Sequence, residues 1–299
     1  MSKYHTPVML SECLKGLDIS EGGTYVDVTF GGGGHSREII KLMGNGKLFG
    51  FDQDPDAFEN EIEDDRFTLI KQNFKYLKNF LKLNRALPVS GILADLGVSS
   101  HQFDTAERGF STRFDGPLDM RMSPTNQLSA TKVINEYSEE KLTEMFYQYG
   151  EVKNARKLSL AIAQKRFDKK ITTTAELKEI CESLVSSHRI AQYLAQVFQA
   201  IRIEVNQELE VLKTFLEESL DCLDQGGRLV VMSYHSLEDR LVKNFIKTGN
   251  FQGKLEKDFY GNIIRPYTPI PNKVIVASDQ EKLSNPRSRS ARLRIAVKN

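Results

Sequence analysis

The stretch Thr24-Tyr25-Val26-Asp27-Val28-Thr29-Phe30-Gly31-Gly32-Gly33-Gly34-His35-Ser36 decides the fold. Its first seven residues are rich in β-branched and aromatic side chains and read as a strand. Four consecutive glycines then end the strand. A turn without Cβ atoms lets a ligand come close to the backbone. Arg37 to Met43 follows with a helical pattern that Gly44-Asn45-Gly46 closes. Strand, glycine turn and helix in that order open a β/α unit.

The pattern repeats downstream. Lys47 to Phe51 reads as a second strand ending in Asp52, Phe67 to Ile70 as a third, and Gly91 to Asp95 as a fourth. Their mixed apolar character suits burial on both faces, which predicts a mostly parallel sheet between helices. The rhythm then breaks. A loop rich in Gly, Pro, Asp and Arg (Asp104 to Asn126) leads into Ala130 to Phe198, helical in pattern with no strand. Thr174 with Leu177 marks a helix start within it. Val205, Leu209, Leu212, Leu216, Leu220 and Leu223 recur every three or four residues, as on one helix face. Asp224-Gln225-Gly226-Gly227 stops that helix. Arg228 to Ser233 is a fifth strand, and Val274 to Val276 and Leu293 to Val297 complete seven. The α/β domain is expected over 1–104 and 201–299, and a helical insertion over 105–200.

Composition narrows the function. Of the 299 residues 40% are hydrophobic and 27% charged, as in a globular protein with a substantial core. The net charge of +1 excludes a global field for nucleic acid, so any such grip must be local. Residues 260–299 supply one: eight Lys or Arg (Arg265, Lys273, Lys282, Arg287, Arg289, Arg292, Arg294, Lys298) face two acids, Asp279 and Glu281. Arg292 and Arg294 would share one strand face. This is a phosphate-binding surface or a solvated basic tail. Three scattered cysteines (Cys13, Cys181, Cys222) lack metal-ligand spacing and suggest reduced, buried thiols in a reducing compartment. No signal segment or membrane-length apolar run is seen, and a cytoplasmic location is expected.

The glycine turn fails the dinucleotide fingerprint, because the sixth position counted from Gly31 is Ser36. That argues against a nicotinamide-dependent oxidoreductase. Asp52, at the end of the next strand, stands where an acid accepts hydrogen bonds from ribose hydroxyls. Its alternative is a helix cap in Asp52-Gln53-Asp54-Pro55. Asp95 ends the fourth strand beside the same crevice; it could serve the cofactor or the reacting group, or merely open a loop.

Several segments together resemble the bacterial 16S ribosomal RNA (cytosine-N4)-methyltransferase family. They are His5-Thr6-Pro7-Val8, Asp27 to Ser36, Asp95-Leu96-Gly97-Val98-Ser99-Ser100, Arg108-Gly109-Phe110-Ser111 and Asp115-Gly116-Pro117-Leu118-Asp119-Met120-Arg121-Met122. Phe198-Gln199-Ala200-Ile201-Arg202-Ile203, Asn206-Gln207-Glu208-Leu209, His235-Ser236-Leu237-Glu238-Asp239-Arg240 and Asn285-Pro286-Arg287-Ser288-Arg289-Ser290 follow in order. The resemblance implies a Rossmann-like methyltransferase fold with a mostly parallel seven-stranded sheet and an inserted all-helical domain. It implies S-adenosyl-L-methionine as cofactor and a cytidine amine in the decoding region of 16S ribosomal RNA as substrate, within the small subunit. By matching position the cofactor contacts fall on Gly33, Gly34, His35, Asp52, Phe74, Asp95 and Gln102. The family usually has Arg at Gly32, Pro at His101 and Phe at Tyr234. It also has a Pro-Ala-Thr-Arg-Thr segment where this chain reads Tyr193-Leu194-Ala195-Gln196-Val197.

Methyl transfer to an amine needs alignment and an acceptor for the proton that leaves. The Asp/Asn-Pro-Pro-aromatic loop of many amino-methyltransferases is missing after the fourth strand. Asp95, Asp119 and His235 are the candidate catalytic groups, with Ser236 and Asp239 read as a capping box. His5 and His188 read as structural or solvated. In the loop 108–122, Arg108, Arg113 and Arg121 with Phe110 suit phosphates and an unstacked base, or else the loop is locked by its own ion pairs. Together with Arg287, Arg289, Arg292 and Arg294 these form the expected RNA surface. No metal and no membrane partner are expected, and the chain is expected to act as a monomer or homodimer. A non-catalytic ribosome-assembly factor retaining the fold is the alternative function.

Overall fold

The computed structural model describes residues 7–261 and 263–299, so His5 and Thr6 lie outside the described residues. Two compact units emerge: Met1–Gly97 with Leu209–Asn299, and Val98–Glu208. The boundaries differ from 104/105 and 200/201 because Val98 and Val205 pack into the helical unit's core.

In chain order the first unit holds α1 (Leu10–Leu17), β1 (Thr24–Asp27), α2 (Gly34–Leu42), β2 (Lys47–Phe51), α3 (Pro55–Phe58), β3 (Phe67–Ile70), α4 (Leu77–Leu83) and β4 (Val89–Asp95). The second holds α5 (Ser100–Asp104), α6 (Ala130–Glu136), α7 (Glu139–Gly150), α8 (Ala155–Asp168), α9 (Thr174–Glu182) and α10 (Ile190–Asn206). The first resumes with α11 (Glu208–Cys222), β5 (Leu223–Ser233), α12 (Ser236–Thr248), β6 (Glu256–Lys257), β7 (Ile263–Ile264) and β8 (Tyr267–Pro269). It ends with β9 (Ile275–Val276), α13 (Asp279–Ser284) and β10 (Arg292–Lys298).

The main sheet runs β3-β2-β1-β4-β5-β10-β8, with β9 also paired to β10. β1 to β5 are parallel, and β10 runs antiparallel to β5. The eighth strand, β8, was not legible: it is three residues long, ends in Pro269 and lies at the sheet edge, where a missing donor is tolerated. Along β4, Ile92 and Ala94 face one core cluster and Leu93 the other; along β5, Leu229 and Val231 alternate likewise with Val230 and Met232. This two-residue period covers both faces, the burial expected of a parallel sheet.

Three local readings change. β1 stops at Asp27 instead of Phe30, because the Asp27 carboxylate accepts from the Thr29 N–H and turns the chain. The face read from Val205 to Leu223 is divided between two helices, broken at Gln207 with φ 51, and its last member, Leu223, opens β5. β5 starts at Leu223, which pairs with Val89 before the register jumps to Gly91–Arg228, so the Asp224–Gly227 segment bulges from the strand.

The helical unit closes around its own core, which includes Leu118, Val133, Leu142, Phe146, Leu158 and Ile201. Among its described residues the one strand-like pairing is the bridge Pro117–Thr173. Thr173 caps α9 in a box with Glu176, one residue before the expected start. Tyr193, Leu194 and Val197 are core residues of α10, so the helix runs through the positions where the family has its proline-containing segment.

Candidate active site

In open α/β sheets, ligands bind beyond the carboxyl ends of the strands, where the strand order switches. Here the switch lies at β1 and its neighbours β2 and β4. Four functional segments of the first unit follow those strand ends: the glycine turn after β1, Asp52 after β2, Asp95 at the end of β4 and Tyr234-His235 after β5.

The glycine turn is held from several sides. Gly33 caps α2 with φ 71, a conformation that favours glycine. A Cβ on Gly34 would collide with the Pro7 ring. The Asp52 carboxylate accepts from the Gly31 N–H at 2.8 Å and from the Asp54 N–H at 2.8 Å. Asp52 thus ties the turn to the end of β2. The cap of α3 is Asp54, which accepts from the Asp56 N–H, so Asp52 is not the helix cap. The His35 ring is buried, with Nε2 3.1 Å from the Val8 carbonyl oxygen.

Beneath the turn lies a carboxylate that sequence reasoning missed. Asp27 is buried, and accepts from Ser36 Oγ at 2.7 Å and from the Thr29 N–H at 3.1 Å. Thr29 Oγ1 in turn accepts from the Asp95 N–H at 2.7 Å. This chain of bonds joins the floor of the glycine turn to the end of β4. Burial pushes the Asp27 carboxyl up, while His35 and the Ser36 and Thr29 donors pull it down.

Asp95 was expected, but its partner was not. Tyr234 Oη donates to Asp95 Oδ1 at 2.7 Å, across 139 residues of sequence. Asp95 Oδ2 accepts from no described residue. Burial pushes the Asp95 carboxyl up to about 6, against the lowering influence of His35 and Tyr234. Burial likewise pushes Asp52 up to about 6. Burial and then the Asp95 charge raise the Tyr234 phenol, so it stays a donor. The one available hint was the tyrosine standing where the family usually has phenylalanine.

His235 caps α12: its Nδ1 accepts from the Glu238 N–H at 3.4 Å and its Nε2 lies 3.1 Å from Glu238 Oε1. The expected Ser236–Asp239 box is replaced, because the Asp239 carboxylate is taken by Arg294 at 2.7 and 3.1 Å and by Arg292 at 3.2 Å. Instead, Glu238 reaches back to the Tyr234 N–H at 3.0 Å. Phe74 is partly buried, its ring edge-on to Phe215 with centroids 5.4 Å apart.

The remaining candidates belong to the helical unit and to the C-terminal part of the first unit. Gln102 is buried in a capping box with Ser99 at the start of α5. Arg121 grips Asp119 with two bonds of 2.8 Å and also donates to the Pro124 and Asn126 carbonyls. The pair lowers the Asp119 carboxyl against the raising effect of its burial. Arg108 donates to the Arg121 and Met122 carbonyls and lies over the Phe110 ring. Phe110 is a core residue at 3% exposure, so the aromatic this loop offers to solvent is Phe114, at 49%. Arg113 is exposed. In the tail Arg289 is exposed and Arg287 partly buried, while the Arg294 side chain is only 13% exposed in its pair with Asp239.

The residue set fits a nucleoside-bearing cofactor: a glycine turn open at Gly31, an acid at the next strand end, and a carboxylate oxygen on Asp95 that no described residue bonds. Fold and cofactor define an S-adenosylmethionine-dependent methyltransferase with a Rossmann-like sheet. Within that class the chain belongs to the MraW methylase family, whose model matches residues 2–299.

A "ribosomal RNA small subunit methyltransferase H" of Flavobacterium johnsoniae is 57% identical over 297 residues, 99% of this chain and 98% of that protein. The protein so named in Parabacteroides distasonis is 55% identical over 299 residues, covering 99% of this chain and 98% of its own. A solved rRNA methylase from Streptococcus thermophilus aligns with a TM-score of 0.44 at 12% identity, covering 100% of this chain and 99% of that one.

Proposed function

We propose that this chain transfers the methyl group of S-adenosylmethionine to the exocyclic N4 amine of a cytidine in the decoding region of 16S ribosomal RNA. The observation that carries this reading is the Asp95–Tyr234 pair, with Oδ2 bonded by no described residue, at the strand ends that bear the glycine turn and Asp52. Identity of 57% and 55% over 99% of the chain to two small-subunit rRNA methyltransferases supports the substrate.

In this reading Gly33, Gly34, His35, Asp52, Phe74 and Asp95 of the first unit hold the cofactor, with Asp52 toward the ribose and Phe74 against the adenine; Gln102, the remaining contact expected, belongs to the helical unit. Bound there, the cofactor supplies a methyl carried on a sulfonium. The protein's task is alignment and charge management. A cytosine amine is a poor nucleophile, and it loses a proton as the new bond forms. In this reading Asp95 Oδ2 accepts a hydrogen bond from the amine and takes the proton it sheds, while Tyr234 fixes the direction of the carboxylate. His235 is the second candidate from the same unit, but its Nδ1 accepts from the Glu238 N–H and its Nε2 faces Glu238 Oε1, so its ring is engaged in capping α12 and offers the amine no open acceptor. Asp119, the third candidate, belongs to the helical unit, where Arg121 holds it as a carboxylate of low basicity.

Arg108, Phe110, Arg113, Arg121, Arg287, Arg289, Arg292 and Arg294 were the residues expected to meet RNA. We favour Arg113, Arg289 and Arg292 among them, because they are exposed, with Phe114 in the stacking role assigned to Phe110. The substrate is the assembled small subunit: shape supplies what a net charge of +1 does not. The setting is the cytoplasm, which suits three unpaired, buried cysteines, and the working unit is a monomer or homodimer without a metal. Among the described residues no helix is long and apolar enough to cross a membrane.

The test is methyl transfer from labelled S-adenosylmethionine to undermethylated small subunits, followed by mass spectrometry of the digested nucleosides. A new N4-methylated cytidine supports the reading. Cofactor binding without transfer to subunits or naked rRNA overturns the substrate, and no cofactor binding leaves the assembly-factor alternative.

A further inference from the structure

A cationic cleft lies on the first unit, outside the site described above. It runs between α12 and the segment that follows β8. Lys243 and Lys247 line it from α12, Asn272 and Lys273 from the segment, and Arg294 from β10; none of its lining residues is acidic. Lys243, Lys247 and Lys273 have no ion-pair or hydrogen-bond partner among the described residues. The nearby carboxylate at helical spacing, Asp239, is already taken by Arg292 and Arg294. Asp239, Lys243 and Lys247 recur at four-residue steps and so share one face of α12. These three lysines and two arginines against one acid leave four positive charges on one face of a chain whose total is +1.

Such a cluster attracts a polyanion. The cleft encloses only about 10 Å³, roughly the room one water molecule needs. A nucleobase or a free nucleotide cannot enter it. The ligand therefore lies across the mouth and presents single oxygens to the lysines, as a phosphodiester backbone does. Compact ammonium groups on flexible stems suit such point contacts, which carry no sequence information.

The position fits a guide for a long substrate. α12 begins next to His235, at the strand end that bears the candidate site. At a rise of about 1.5 Å per residue, Lys243 and Lys247 lie roughly 12 and 18 Å along the helix from His235. We propose that Lys243, Lys247 and Lys273 form a binding site for the phosphate backbone of the RNA substrate, distal to the methylated base. This rests on the RNA substrate proposed above.

The experiment compares the full-length chain with Lys243→Ala/Lys247→Ala/Lys273→Ala. Binding of transcribed 16S rRNA is measured against salt concentration, with S-adenosylhomocysteine binding and thermal unfolding on the same samples. Loss of three phosphate contacts should flatten the slope of log K against log salt by roughly 2 to 3, with cofactor affinity and unfolding unchanged. The Lys→Arg triple variant should restore the slope, because charge and not shape is what it preserves. An alanine variant that keeps the wild-type slope while the wild type binds and methylates rRNA overturns the cleft and leaves the enzyme reading standing. A wild type without salt-dependent binding of naked rRNA also overturns the cleft, while the enzyme reading, whose substrate is the assembled subunit, is decided by transfer to subunits.

Discussion

Cofactor affinity should change steeply with pH in the acid range, because two carboxyls must lose protons to bind. Asp52 and Asp95 are both pushed up to about 6, chiefly by burial. An ordinary aspartate titrates at about 3.9. Between about pH 4 and pH 6 the folded chain without cofactor thus binds protons that the unfolded chain has released. The stability these groups contribute is complete below about pH 4 and is lost as the pH rises through about 6. Ribose hydroxyls and an ammonium group are donors, and they favour the carboxylate. One unit below the midpoint, expelling a proton costs about 1.4 kcal/mol, or about tenfold in Kd, for each group. With two groups, Kd for S-adenosylhomocysteine measured by calorimetry should rise about a hundredfold from pH 7 to pH 5. In Asp52→Asn the same interval should cost about tenfold, since Asp95 alone remains to titrate. At pH 7.5 this variant should bind more weakly by about 1.5–3 kcal/mol, the scale of a hydrogen bond to a charged group. A Kd that is flat from pH 5 to pH 7, or a variant with wild-type slope and affinity, refutes the assignment of Asp52 to the cofactor.

Three further outcomes follow from particular contacts. Tyr234→Phe removes the donor to Asp95 Oδ1, so the acid limb of the binding profile should move to higher pH with little change in melting temperature; an unmoved limb would show that the hydroxyl does not tune Asp95. Phe110→Ala should destabilise the helical unit by about 3–5 kcal/mol in denaturant unfolding, as for a large core aromatic. Weakened RNA binding with unchanged stability would instead return Phe110 to the RNA surface. Arg294→Ala leaves the buried Asp239 with one bond from Arg292 and should cost about 2–3 kcal/mol. A loss within about 0.5 kcal/mol would mark the pair as a solvated one, free to meet phosphates.

Much of the architecture was local and therefore legible. β2 and β3 run over Lys47–Phe51 and Phe67–Ile70, the residues expected, because short apolar runs bounded by turn residues leave the chain few other choices. The glycine turn and Asp52 were legible for the same reason: each is set by a strand end and the few residues after it. The capping assignments at α9 and α12 missed by one residue. In α12 a distant arginine pair had claimed Asp239, and the cap passed to His235.

What the sequence alone determined is the repertoire: a parallel α/β sheet, a helical insertion, a glycine turn with acids at successive strand ends, and a basic tail. Tertiary structure decided the pairing of polar groups. Tyr234 meets Asp95 because β5 lies parallel beside β4 with Met232 opposite Asp95. Arg294 meets Asp239 because β10 returns antiparallel along β5 and brings its arginines to α12. A buried charge must find a partner wherever the fold brings one within reach, and that partner is chosen by strand register across tens of residues. Residue spacing carries the period of a helix or strand, but not the register that joins one strand to another.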